Sequence, residues 1–353
     1  MKTITVAVIG CGRIAKARHF PALVNIKGVR IKYACDIILE KAESIVKEHE
    51  SVETAIADYN IALADPEVDA VWVTTPNYVH YTVAMAALKA GKHVFCEKPI
   101  TINYPLSLEM KNAADAAGKM LNIGVCNRYQ ESVERIRDWV EKGKFGKIYH
   151  VYCSFRDFRC IPGLGGDFTT KSQSGGGVLI DWGVHFLDLI LYILGSPKVK
   201  TVTADAYCEM AKDMKAYKCN DMWARDTANI ENGTNDVDDF ITGHVRTESA
   251  TISFNGAWAQ NIDKREMYVD FLGDKGGARL DYVDMFTFYD GNTLETVKPE
   301  YELDDMYYNE DEAFINSVRT GIKDRNNIDG VIEVMRLMDA MYLSSDKKEE
   351  VKL

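Results

Sequence analysis

The chain has 353 residues, 46% of them hydrophobic and 27% charged. That is the composition of a folded globular protein of about two domains, at roughly 150 residues each. The formal charge of −11 argues against a nucleic-acid binder, because phosphate neutralisation needs a basic surface, and against an anionic membrane surface as partner.

Thr3 to Ile9 is an apolar, β-branched run ending at Gly10, and a helix is expected from Gly12 to about Asn25. Val29 to Cys35 reads as a strand that stops at Asp36, and Leu39 to about His49 as a helix. Val68 to Thr74 is a buried strand closed by Pro76. Tyr78 to Ala90 is helical and stops at Gly91, a good C-terminal signal. His93 to Cys96 is a short strand before Glu97-Lys98-Pro99, followed by a helix from about Leu106 to Ala117 and a strand from Met120 to Val125. Strands alternating with helices indicate βαβ units on a parallel sheet with right-handed crossovers. Residues 1–125 are therefore expected to form a doubly wound domain.

Beyond Val125 the pattern changes. Glu131 to Lys142 is helical, Ile148 to Phe155 reads as a strand, and Asp157 to Gly177 is a loop with six glycines. Strand candidates then follow without long helices between them: Val199–Tyr207, Val237–Val245, Ala250–Trp258, Met267–Leu272 and Ala278–Tyr282. Met210 to Asn235 is polar and irregular, and Glu310–Thr320 and Asp329–Leu343 are helical. Residues 126–353 are expected to form an α/β domain on a mostly antiparallel sheet. Gly177 to Gly195 is apolar enough to suggest a membrane span. However, Asp181, His185 and Asp188 lie inside it, and such groups are costly in lipid. A buried helix is expected instead.

The eight cysteines form no C-x-x-C pair, and several end apolar strand-like runs, where a thiol acts as a small hydrophobe. That usage suits a reducing cytoplasm, and the first residues lack a signal-peptide pattern.

Gly10-Cys11-Gly12-Arg13-Ile14-Ala15 follows a strand and opens a helix. This is G-x-G-x-x-A, the Rossmann fingerprint. Its first glycine makes the tight turn, the second admits a pyrophosphate and the small third residue lets helix and strand pack closely. The phosphates would meet the N–H groups of Arg13, Ile14 and their neighbours at the helix start. Asp36 lies 21 residues after Ala15, where an acid grips the ribose hydroxyls of NAD. With Ile37 and Ile38 next to it, NAD is favoured over NADP. A helix N-cap is the structural alternative for Asp36.

On a helix, His185 lies about 40° from Asp181 and Asp188 about −20°, so the three share one stripe of an apolar helix. They read either as a structural hydrogen-bonded set or as a general base oriented by a carboxylate. No second histidine has metal-type spacing, so no metal is expected. Lys98 is held extended by Pro99, at the end of a parallel strand where ligands bind in open α/β sheets. It is either a donor to a substrate hydroxyl or a solvated loop lysine.

G-C-G-R-I-A, T-T-P-N-Y-V-H, C-E-K-P and G-G-G-V-L-I-D-W-G-V-H-F-L-D, in that order, resemble the Gfo/Idh/MocA oxidoreductases. The resemblance implies a Rossmann domain followed by a C-terminal domain whose open sheet makes oligomer contacts, in a homodimer or homotetramer. It implies Lys98 as catalytic lysine, with Asp181 and His185 as the acid–base pair. It further implies Thr75, Pro76, Asn77 and His80 beside the nicotinamide and its ribose, Glu97 and Asn127 at the cofactor, and Arg128 on the substrate side. Arg156 and Trp182 are further substrate candidates, as an anion-binding group and a sugar-stacking ring. The implied reaction is NAD-dependent interconversion of a ring alcohol and ketone on a sugar, glycoside or cyclitol, with C3 of a sugar as one position. Three alternatives stand beside it. One is a same-family enzyme that recycles bound NAD around an elimination or hydrolysis. The others are a metal-dependent hydrolase and a non-catalytic nucleotide sensor.

Overall fold

The computed structural model describes residues 2–221, 223–263, 265–282 and 285–353. They pack as two units. Unit 1 takes residues 1–129 and 305–332, and unit 2 takes 130–304 and 333–353. The sequence reading placed a single boundary after residue 125, whereas unit 1 also includes the segment 305–332. That segment joins it because Phe314 and Ile315 complete the core formed by Ile4, Val6, Val8, Trp72 and Phe95.

Unit 1 is a six-stranded parallel sheet. In chain order it contains β1 (Ile4–Ile9), α1 (Phe20–Asn25), β2 (Val29–Cys35), α2 (Leu39–Glu48), β3 (Val52–Ile56) and α3 (Tyr59–Ala64). It continues with β4 (Ala70–Val73), α4 (Asn77–Lys89), β5 (His93–Glu97), α5 (Tyr104–Ala117) and β6 (Leu121–Gly124). The strand order β3-β2-β1-β4-β5-β6 reverses direction between β1 and β4, which is where ligands bind in doubly wound sheets. β1 and β4 are buried at every residue, as expected of strands covered on both faces. α5 is capped by Asn103, whose side chain accepts from Leu106 N–H at 3.1 Å. It ends at Gly118 with φ +59°.

The helix expected over 12–25 is not uniform. Residues Ala15–His19 form a π-helical turn before α1. β3 and α3 lie in a stretch with no expected element. β3 has five residues and pairs only with β2, too short a signal for strand alternation to register.

Unit 2 begins with α6 (Glu131–Glu141), β7 (Ile148–Phe158), α7 (Lys171–Ser174) and α8 (Val184–Ile193). The strands β8 (Val199–Tyr207), β9 (Phe240–Thr247), β10 (Thr251–Gln260), β11 (Glu266–Gly273), β12 (Gly276–Asp281), β13 (Met285–Asp290) and β14 (Thr296–Val297) follow. α9 (Met306–Thr320) belongs to unit 1. The unit division falls within α10 (Ile328–Lys347), and β15 (Val351–Lys352) ends the chain. The nine-stranded sheet runs β14-β13-β12-β11-β7-β10-β9-β8-β15. It is antiparallel except for the parallel pair β7–β10.

The stretch Lys171–Ile193 is apolar and long enough to cross a membrane by length and composition, and it is largely buried inside the protein. α8 is apolar nearly all round, which suits a core helix. The strand expected from Val237 begins only at Phe240. Asp238 turns aside because its carboxylate accepts the N–H groups of Gly177 and Leu179 at 2.8 and 3.0 Å. Its carbonyl takes the N–H of Val178 at 2.9 Å.

Candidate functional site

In unit 1 the glycine turn is built by close backbone approach. Gly10 has φ +99°, and a Cβ there would lie 2.6 Å from the carbonyl carbon and oxygen of Thr74. Only glycine fits this position. The Thr74 hydroxyl donates to the Gly10 carbonyl at 2.6 Å, locking the turn to the end of β4. Nothing lies within 4 Å of where a Cβ on Gly12 would point. That open cradle, with Arg13 exposed and Ile14 half-buried on the first helical turn, suits an approaching pyrophosphate.

Asp36 follows β2. Its Oδ2 accepts Cys11 N–H and its Oδ1 accepts Ile38 N–H, both at 2.9 Å. The carboxylate is thus fixed beside the turn and keeps lone pairs for further donors. Ile37 is 90% exposed and Ile38 half exposed, so neither neighbour brings a cation. Burial, with Asp36 next in effect, pushes the Cys11 thiol up to about 12, which leaves it an inert hydrophobe.

Thr75, Pro76 and Asn77 connect β4 to α4, with Thr75 and Asn77 half-buried and Pro76 exposed. His80 is completely buried one turn into α4. Its Nε2 faces the Thr75 carbonyl and its Nδ1 the Pro99 carbonyl, both at 2.8 Å. Burial lowers its pKa, against the two carbonyl contacts, which raise it. The ring buckles the Thr75 loop to the segment after Lys98.

Glu97 ends β5 and is buried, while Lys98 is half-buried and precedes a cis peptide to Pro99. Glu97 Oε2 accepts Lys98 N–H at 3.0 Å, and Oε1 lies 2.9 Å from His19 Nε2. Asn127 and Arg128 sit in the short turn Cys126–Tyr129, both buried. Arg128 Nη1 donates to the Arg325 carbonyl at 2.5 Å and Nη2 to that of Gly330 at 2.8 Å. That guanidinium braces the start of α10.

In unit 2, Asp181 and Trp182 lie in a π-helical turn, Leu179–Gly183, and His185 is in the first turn of α8. Asp181 and Asp188 are buried, and His185 and Trp182 half-buried. π-turns widen a helix and recur at functional sites. The turn's start is anchored by Asp238, whose Oδ1 also accepts the Tyr342 hydroxyl at 2.6 Å. A Cβ on Gly177 would lie 1.9 Å from the Asp238 carbonyl oxygen. Arg156 bonds the Glu266 carboxylate opposite it on β11, its Nε at 3.0 Å. It is a cross-strand ion pair. Among the described residues, no group of three His, Cys, Asp or Glu is arranged to hold a metal ion.

Sequence reasoning missed Asp238, Tyr342, His19 and Asp311. The strand expected from Val237 carried a trace of the first: two adjacent acids, Asp238 and Asp239, at its start.

Residues 4–125 match the model of an oxidoreductase family with an NAD-binding Rossmann fold, and residues 133–279 match the GFO/IDH/MocA C-terminal domain. The chain is also 31% identical to D-glucoside 3-dehydrogenase of Escherichia coli K12, over 99% of this chain and 97% of that protein. The chain belongs to the Gfo/Idh/MocA family. This makes it an oxidoreductase with an NAD-binding Rossmann domain. Another relative in the family is inositol 2-dehydrogenase of Rhodococcus jostii RHA1, 31% identical over 48% of this chain and 46% of that one. Levoglucosan dehydrogenase, solved with NADH and levoglucosan, shares the fold with a TM-score of 0.86 at 19% identity, covering 99% of both chains.

Proposed function

We propose that the protein is an NAD-dependent dehydrogenase that interconverts a secondary alcohol and a ketone on the ring of a sugar, glycoside or cyclitol. The full-length similarity to a glucoside 3-dehydrogenase carries this reading and favours C3 of a glycoside. Gly10, Gly12, Arg13, Ile14 and Asp36 hold the adenosine and pyrophosphate part of the cofactor, and Thr75, Pro76, Asn77, Glu97 and Asn127 its nicotinamide half. The open cradle at Gly12 and the fixed Asp36 carboxylate fit that group. A carboxylate there repels a 2′-phosphate, so NAD is preferred to NADP.

Bound NAD supplies the acceptor for the hydride lost from the carbinol carbon. The chain's own residues handle the proton and the geometry. His185 takes the hydroxyl proton, and Asp181 orients the imidazole and stabilises its cation. Lys98 donates a hydrogen bond to the reacting oxygen through its ammonium. Trp182, beside Asp181, offers a ring face to the sugar. The assembly in this reading is a homodimer or homotetramer in the cytoplasm.

The test is to incubate purified protein with NAD and a panel of methyl β-D-glucopyranoside, free aldoses and inositols. NADH formation with at least one ring polyol supports the reading, and product NMR then assigns the oxidised carbon. Oxidation of acyclic alcohols alone contradicts it.

A further inference from the structure

Behind Lys98 and Glu97 lie three buried groups that the proposed reaction does not use: His19, Asp311 and Glu310. His19, in the π-helical turn before α1, is completely buried. Its Nδ1 lies 3.1 Å from both carboxylate oxygens of Asp311, and its Nε2 2.9 Å from Glu97 Oε1. The Trp72 indole donates to Asp311 Oδ1 at 2.9 Å. Glu310, also buried, accepts from Asn326 Nδ2 at 2.6 Å. A Cβ on Gly124 would come within 2.9 Å of Glu97 Oε1, so the glycine of β6 gives this carboxylate room.

The geometry fixes a proton count. Ionised carboxylates only accept hydrogen bonds, and each ring nitrogen of His19 faces one. Both nitrogens therefore carry protons, unless a carboxyl group carries one instead. The groups that bear on this choice come from every element around the ring. Glu97 is on β5, with Lys98 after it, and Asp311, Glu310 and Tyr307 are on α9. Cys126 follows β6, Asp324 precedes α10, and Arg18 lies 5.1 Å over the Tyr307 ring. Burial alone would lower the His19 pKa, but Asp311 and Glu97 outweigh it and hold it well above the ordinary value. Burial raises the pKa values of Glu310 and Asp311.

We propose that His19, held as an imidazolium between Asp311 and Glu97, positions the Glu97 carboxylate and, through that carboxylate's bond to the Lys98 N–H, positions Lys98 for reaction. His19 and Asp311 are positioning residues that touch neither cofactor nor substrate. The proposal rests on the reading of Lys98 as the donor to the reacting oxygen.

The experiment has two arms on the full chain with NAD. In the first, ¹⁵N-histidine NMR of the wild-type protein reads the His19 ring at a pH where free histidine is neutral. Two matched, doubly protonated nitrogen shifts are expected, and the split pair of a neutral tautomer overturns the proposal. The second measures oxidation of methyl β-D-glucopyranoside by His19→Gln, Asp311→Asn and Lys98→Ala. His19→Gln and Asp311→Asn should lower kcat roughly 10- to 100-fold, as a small misplacement of a reacting group does. Their KM for NAD should stay within about twofold, and the alkaline limb of their kcat profile should move from its wild-type position. Wild-type kcat and pH profile in both variants, with Lys98→Ala impaired, overturn this proposal and leave the Lys98 reading standing. Wild-type kcat in Lys98→Ala overturns the Lys98 reading and the positioning role with it. Should His19→Gln fail to fold, the wild-type NMR and Asp311→Asn still decide.

Discussion

In the proposed reading, cofactor choice turns on Asp36. Its two oxygens are held by the N–H groups of Cys11 and Ile38, so the carboxylate cannot swing away from an incoming 2′-phosphate. Replacing Asp36→Ser together with Ile37→Arg removes the repulsion and adds a phosphate-binding fork. The ratio of kcat/KM for NAD over NADP should fall by about tenfold or more, roughly 1.4 kcal/mol. An unchanged ratio would remove Asp36 from the ribose site. At the reacting end, His185→Ala should lower kcat by roughly 10² to 10⁴. The dissociation constant for NAD, read by fluorescence titration, should stay within twofold. Equal loss of both would make His185 a structural residue.

The helix through Asp181 and His185 depends on a partner far away in sequence. Asp238 meets the N–H groups at its start and receives the Tyr342 hydroxyl from α10. Tyr342→Phe removes one donor from this buried acid and should destabilise the protein by about 1–3 kcal/mol. A urea melt with an unchanged midpoint would contradict that. The same contacts explain where local reading failed. β8 was legible residue for residue, because the valine- and threonine-rich run Val199–Tyr207 is a strictly local signal. The start of β9 was not, because the groups that draw Asp238 out of the strand lie about 60 residues away. The π turn at Ala15–His19 was hidden for a related reason: no local pattern distinguishes it from an α-helix.

At the scale of the whole molecule, the motif-bearing residues were legible and their supports were not. Gly10, Asp36, Glu97 and Lys98 sit in short runs with recognisable chemistry. The bond between His19 and Asp311 spans 292 residues, and nothing near His19 announces an acid from α9. The two domains were legible from the change of strand pattern. The return of residues 305–332 to unit 1 was not, because it is decided by packing of Phe314 and Ile315 against the first sheet.

The buried cluster also sets a pH dependence for the fold. His19 and Glu310 both have raised pKa values in the folded chain, so folding retains protons that the unfolded chain releases. Their contribution to stability is complete below the unfolded values and is lost as pH rises through the folded ones. For His19 the loss begins above about pH 6.5. The Tm of the wild-type protein should therefore fall more steeply above that pH than the Tm of His19→Gln. Parallel curves would contradict a proton held at His19.

The most direct measurement is turnover itself: purified protein, NAD and methyl β-D-glucopyranoside, with NADH followed by absorbance and the product by NMR. The expected result is NADH in step with a ketone on the pyranose ring, at C3. Tight NAD binding with no NADH from this glycoside, any aldose or any inositol would contradict the assignment of a ring-alcohol dehydrogenase.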